Sequence, residues 1–132
     1  MQFKIRTTRN EWVTVRAYAT KRPGLVVHKQ LNGDGWAVAH VGTTMSLTLT
    51  GHASIRTKAE ALNYANWLGC LADWQFSVNH YGDRDAVEAA FAETNSGKEI
   101  RDIIDIALSN LRDPVQYRRI LSGELFNDTD NI

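Results

Sequence analysis

The residue best suited to nucleophilic chemistry is Cys70, the one cysteine of the chain. A thiolate nucleophile needs a base beside it and a group that orients the base. His80 is the nearest histidine in sequence, but LADWQFSVN between them has no regular period that would fix their geometry. A free cysteine is more often packing or an incidental thiol, and a single one allows no internal disulfide. His28, His40 and His52 recur every twelve residues, which is a strand-and-turn period rather than a ligand spacing. If the NGDG turn closes with an even number of residues, His28 and His40 point to opposite faces; an odd loop or a bulge would bring them together. No HxH, HExxH or Cys/His cluster occurs, so no metal site is expected. The carboxylate pairs Asp83/Asp85 and Asp102/Asp105 suit helix caps and solvated faces better than acid/base work. The glycines of GLVVHKQLNGDGW match neither phosphate-loop pattern and lack the spaced acids of a calcium loop. The expectation is a protein without cofactor or metal.

What remains is a surface. On MQFKIRTT and EWVTVRAYA, Lys4, Arg6, Trp12, Arg16 and Tyr18 alternate with Phe3, Ile5, Val13, Val15, Ala17 and Ala19. Arg9, Lys21 and Arg22 fall in the adjoining turns. Cations interleaved with aromatics on an open sheet could stack bases and hold phosphates. They could equally dock an acidic protein surface, where Trp, Tyr and Arg are typical anchors. The plain alternative is protection of a sheet edge against aggregation.

The zero net charge hides a division. Up to Lys58 there are nine cations and two anions, and from Ala59 onward six cations and thirteen anions. Such asymmetry can mark a charged partner, or the halves can complement each other within one fold. A total near zero also removes a barrier to self-association. An acidic helical face could imitate nucleic acid and occupy a basic groove on another protein.

The elements that must position these residues follow from periodicity. The apolar alternation of the first two segments predicts strands, with Val13, Val15, Ala17 and Ala19 facing the core. A three-residue loop Arg9-Asn10-Glu11 would set Ile5 opposite Val15 and Lys4 opposite Arg16, a costly like-charge pair. KRPG fits a type II turn. LVVHKQL and WAVAHV flank NGDG as a hairpin. MSLTLT alternates with Met45, Leu47 and Leu49 inward, and GHAS ends a region of about five antiparallel strands. Thr57 with Glu60 forms a capping box for the helix TKAEALNYANWLGCLADW. There Ala61, Ala65 and Gly69 make a stripe of small side chains and Cys70 lies on the opposite side, near Asn63 and Asn66. Asp83 or Asp85 caps AVEAAFAET, and Ser96 with Glu99 reads as a second capping box. The next helix places Ile100, Ile103, Ile104, Ala107, Leu108 and Leu111 on one stripe. Asp113-Pro114 starts a last helix and Gly123 stops it.

Strands first and helices after predict an α+β fold with the helices on one face of the sheet. The 132 residues suit one domain over 1–123, with a basic β half at 1–56, an acidic helical half at 57–123 and a flexible tail at 124–132. No apolar run approaches membrane-span length and MQFKIRTTRN lacks a secretory h-region, so a cytoplasmic protein is expected.

The stretch WAVAHVGTTMSLTLTGHASIRTKAEALNYANWLGCLADW runs strand, strand, then a T-K-x-E-A helix ending in D-W. It resembles small accessory proteins of phages and other mobile elements, some of which act as anti-CRISPR or anti-restriction inhibitors. The resemblance implies a compact, cofactor-free, non-enzymatic protein that inhibits or modulates a host nucleic-acid-targeting complex by surface contact. Its expected partner is a host protein or ribonucleoprotein complex. A direct nucleic-acid-binding module, an enzyme with an unrecognised site and a homo-oligomeric structural protein are the competing expectations.

Overall fold

The computed structural model describes residues 1–6, 11–31, 34–48, 55–78 and 83–124. Among these, the strands are β1 (Gln2–Arg6), β2 (Trp12–Ala19), β3 (Leu25–Lys29) and β4 (Trp36–His40). They form one antiparallel sheet in the order β1-β2-β3-β4. Four helices follow: α1 (Lys58–Leu71), α2 (Arg84–Thr94), α3 (Ile100–Leu111) and α4 (Pro114–Ser122). The architecture is α+β.

The expected fifth strand is absent from the described residues. Ser46 makes an isolated bridge with Ala39, and the Leu47 N–H donates to the Val38 carbonyl at 2.8 Å. The Val38 N–H then donates to the Thr48 hydroxyl at 2.8 Å rather than to a backbone carbonyl. Short hydroxyl side chains compete with sheet ladders in this way. Leu47 is buried, whereas Met45 is exposed, following Thr44 at φ 60°. Leu49 and all of GHAS lie outside the described residues.

The first hairpin is slipped by two residues from its expected register. Ile5 lies opposite Val13, Lys4 opposite Thr14 and Arg16 opposite Gln2. A two-residue slip keeps every side chain on its face, and it dissolves the like-charge pair of Lys4 with Arg16. The core-facing side is also the reverse of the expected one. Tyr18 is level with Val27 and Val38, which join the main core under the helices. Ala17, Val26 and Ala39 lie on the opposite face, where Phe3 packs against them. Alternation in β2 separates two faces without saying which the helices take. The choice is visible in β3, where Leu25 and Val27 join the core under α1 while Val26 and His28 lie on the other face.

α1 is buried on most of its circumference. Its N-cap Thr57 accepts from the Glu60 N–H, and the Glu60 carboxylate accepts from the Arg56 N–H at 2.9 Å. Ala61 and Ala65 let the helix lie close in the core, while Asn66 and Trp67 are buried as well. The Asn63 amide donates to the Leu121 carbonyl of α4 at 2.8 Å. Tyr64 donates its hydroxyl to the Leu47 carbonyl at 2.6 Å inside the core. Tyr64→Phe leaves that buried carbonyl short of a donor, so a loss of about 1–2 kcal/mol is expected in urea denaturation.

Asp83 caps α2 and Asp113 caps α4, each through its side chain. The second capping box is a correction. Glu99 is the N-cap of α3 without a side-chain bond, and Ser96 sits at φ 58° before Gly97 at φ 83°. Asn95-Ser96-Gly97 instead closes the end of α2, with the Gly97 N–H donating to the Ala92 carbonyl at 2.7 Å. α3 buries Ile103, Ala107 and Leu111 from its predicted stripe, and Gly123 at φ 86° ends α4 in a left-handed cap.

Between α1 and α2, residues 73–78 form an extended strap across the ends of β3 and β4. The Trp74 carbonyl presses on Gly24 and the Phe76 carbonyl on Gly42, with no room for a Cβ at either. The Val78 N–H donates to the Gly42 carbonyl at 3.2 Å. Trp74, Phe76 and Phe91 stack with His40 beneath the strap.

Candidate nucleic-acid interface

β1 pairs with the Trp12–Arg16 part of β2, while β3 pairs with Ala17–Ala19. Among the described residues, no other element packs on β1. The first hairpin therefore projects beyond β3 as a two-stranded ribbon. Lys4, Trp12, Thr14 and Arg16 share one face of it and are exposed. The Arg6 backbone pairs with Trp12. Same-face positions recur about every 7 Å along a strand.

The ribbon face runs into a corner at Tyr18. Lys29 pairs with Trp36 on the face of Val27 and Val38, and by extension of the Ala17–His28 pair it lies beside Arg16. The Tyr18 and Trp36 rings meet at 5.9 Å between centroids, tilted by 50°. Lys58, from the first turn of α1, sets its Nζ 3.8 Å over the Tyr18 ring. Among the described residues, none of Lys4, Arg16, Lys29 and Lys58 has an acidic partner, whereas Arg84 pairs with Glu88 and Arg119 with Glu124.

Sequence reasoning found Lys4, Trp12, Arg16 and Tyr18, which the structure brings onto one face, and Arg6, whose backbone pairs with Trp12. It missed Lys29, Trp36 and Lys58. Lys29 and Trp36 were within reach, since a paired β2-β3-β4 register fixes which residues share the face of Tyr18. Lys58 carries no local signal, because it arrives from the start of a helix distant in sequence. Arg9 lies outside the described residues, and Lys21 is exposed in the turn after β2.

Arg22 is drawn inward instead. Its Nε–H donates to the Asn66 carbonyl at 3.1 Å and its Nη2–H to the Cys70 sulfur at 2.7 Å. Its aliphatic stem fills the space over Gly69. The Cys70 thiol donates to the Asn66 carbonyl at 3.3 Å. A guanidinium cannot accept a proton, so this partner does not supply the base that a nucleophile needs. The contact pins the β2–β3 turn to α1. His80 and His52 lie outside the described residues.

His28 and His40 are both buried and point to opposite faces, His28 with Ala37 and His40 with Leu25. His40 Nε2 donates to the Trp74 carbonyl at 2.7 Å, which leaves Nδ1 to accept from the Thr43 hydroxyl at 2.8 Å. Burial pulls the His40 pKa below its ordinary 6.5, against a smaller upward pull from the Trp74 carbonyl. The unfolded chain therefore binds the proton first as pH falls. Stability is full above about pH 6.5 and declines below it, so the urea midpoint is expected to be lower at pH 5 than at pH 7.5. A His40→Gln variant should flatten that dependence. Among the described residues, no group of His, Cys, Asp or Glu is placed to hold a metal ion, and no helix is long and apolar enough to cross a membrane.

Comparison with known proteins finds no matching family model, no matching curated protein and no matching solved structure.

Proposed function

We propose that this is a non-enzymatic binding protein whose ribbon face engages a nucleic acid, free or carried by a host complex that the protein inhibits or modulates. The observation that supports this reading is a set of cations without acidic partners among the described residues, sharing one surface with Trp12, Tyr18 and Trp36. Lys4, Arg16 and Lys29 are exposed and Lys58 stands over the Tyr18 ring, so all four are placed to meet an anion. The aromatic side chains between them add contact area that a purely protective edge does not need. The inhibitor role rests on the resemblance to small mobile-element proteins, and the face would occupy the polyanion track of such a complex.

A gel-shift or anisotropy titration at 50 and 200 mM salt tests the reading. Each cation that meets a phosphate adds about 0.7 to the slope of log affinity against log salt on a single strand. A slope near 3 is expected if Lys4, Arg16, Lys29 and Lys58 all engage. A flat response, or no binding at the lower salt, would sink it. The acidic helical surface is a second reading. Asp85, Glu99, Asp102 and Asp105 are exposed on α2, α3 and the turn between them. Retention on a basic DNA-binding protein, lost on neutralising those four and kept on neutralising the ribbon, would favour it.

A further inference from the structure

The ribbon face ends at a wall. α1 packs on β3 and β4 on the same side of the sheet, and its first turn brings Lys58 down onto Tyr18. Tyr18 and Trp36 are therefore half-buried in the angle between ribbon and helix. A duplex is a stiff cylinder whose bases present only their edges, and its phosphates lie on a convex surface. It can lie along the exposed end of the ribbon but cannot follow the face into that angle. A single strand is narrow and flexible, and its bases offer π faces to stack on aromatic rings. Trp12, 47% exposed, occupies the same-face row of β2 farthest from Tyr18. Lys4 and Arg16 follow at successive same-face rows, and Lys29 and Lys58 close the far end.

We infer that the ligand of this face is a single-stranded nucleic acid, with a base stacked on Trp12 and the phosphates led by Lys4 and Arg16 into the Tyr18–Lys58 corner. The inference rests on the nucleic-acid reading above and narrows it to one strand form. The four rows from Trp12 to Tyr18 span about 20 Å, enough for about four nucleotides, the small end of known single-strand sites.

The test titrates the full chain with a mixed-sequence oligonucleotide of about ten nucleotides, as single strand and as duplex, at low salt. The single strand should bind at least about tenfold tighter and quench tryptophan emission, chiefly that of exposed Trp12, since Trp36 is half-buried and Trp67 and Trp74 are buried. Trp12→Ala should weaken single-strand binding about tenfold and remove most of the quench, with the salt slope unchanged and Trp12→Phe largely restoring affinity. Duplex binding equal to or tighter than single-strand binding overturns the inference and leaves the broader reading standing. So does a Trp12→Ala variant of unchanged affinity. Failure of both strand forms to bind overturns the broader reading together with it.

Discussion

Changing Lys4, Arg16, Lys29 and Lys58 together to Gln is expected to lower affinity for a single-stranded oligonucleotide by at least about a hundredfold. A hundredfold is about 2.7 kcal/mol, which is modest for four charge-assisted contacts at roughly 1.5 kcal/mol or more each. The salt slope should fall by about 3 in the same variant. The melting temperature should stay within about 5 °C of the parent. None of the four cations has an acidic partner among the described residues, so no ion pair there is lost. Among the described residues, Lys58 alone of the four has a further side-chain contact, over the Tyr18 ring, and such contacts contribute about 0.5–1 kcal/mol at exposed sites. Anisotropy titrations and thermal melts on the same samples separate the two effects. A variant that keeps its affinity would move attention to the acidic helices. One that loses affinity only by unfolding would show the cations to be structural.

Gly42→Ala is expected to be, with Gly24→Ala, among the most damaging single-methyl changes at the described glycines. A Cβ at that position would sit 1.9 Å from the Phe76 carbonyl oxygen and 2.8 Å from the Ser77 Cα. Both are backbone, so neither can rotate away. The strap must lift, and with it Trp74 and Phe76 leave the aromatic cluster around His40. A loss on the order of 3–5 kcal/mol is the scale of a disrupted core. Gly97→Ala is the control. Gly97 has φ +83° and nothing within 4 Å of the added methyl, so it should cost only the conformational strain, about 1–2 kcal/mol. Urea midpoints of the two variants, side by side, separate close approach from backbone conformation. Equal losses would mean that the strap can yield at Gly42.

The fold class was legible because the period changes once along the chain, from two to 3.6, and Thr57, Asp113 and Gly123 mark helix ends by local chemistry that needs no tertiary context. The errors share a cause. MSLTLT has a strand period, but its Thr48 hydroxyl takes the ladder position of a carbonyl. Ser96 looks like a cap from its spacing to Glu99, and the end of α2 claims it first. In β2 the alternation holds residue by residue, yet it does not say which face α1 covers. Each of these was settled by a neighbour that periodicity does not see. The site follows the same logic: its ribbon half could be read from β1 and β2, whereas Lys58 belongs to it only because α1 lands beside Tyr18.

The strap also bears on how the chain can be divided. The sign of the charge changes between Lys58 and Ala59, and an engineer seeking a minimal fragment would cut there. The turns at Gly24 and Gly42 are completed by backbone from residues 74–78, and His40 finds its acceptor on Trp74. A fragment ending before α1 would have two unclosed turns and a histidine without its acceptor. The electrostatic boundary is thus not a seam of the fold, and the chain should unfold as one cooperative unit.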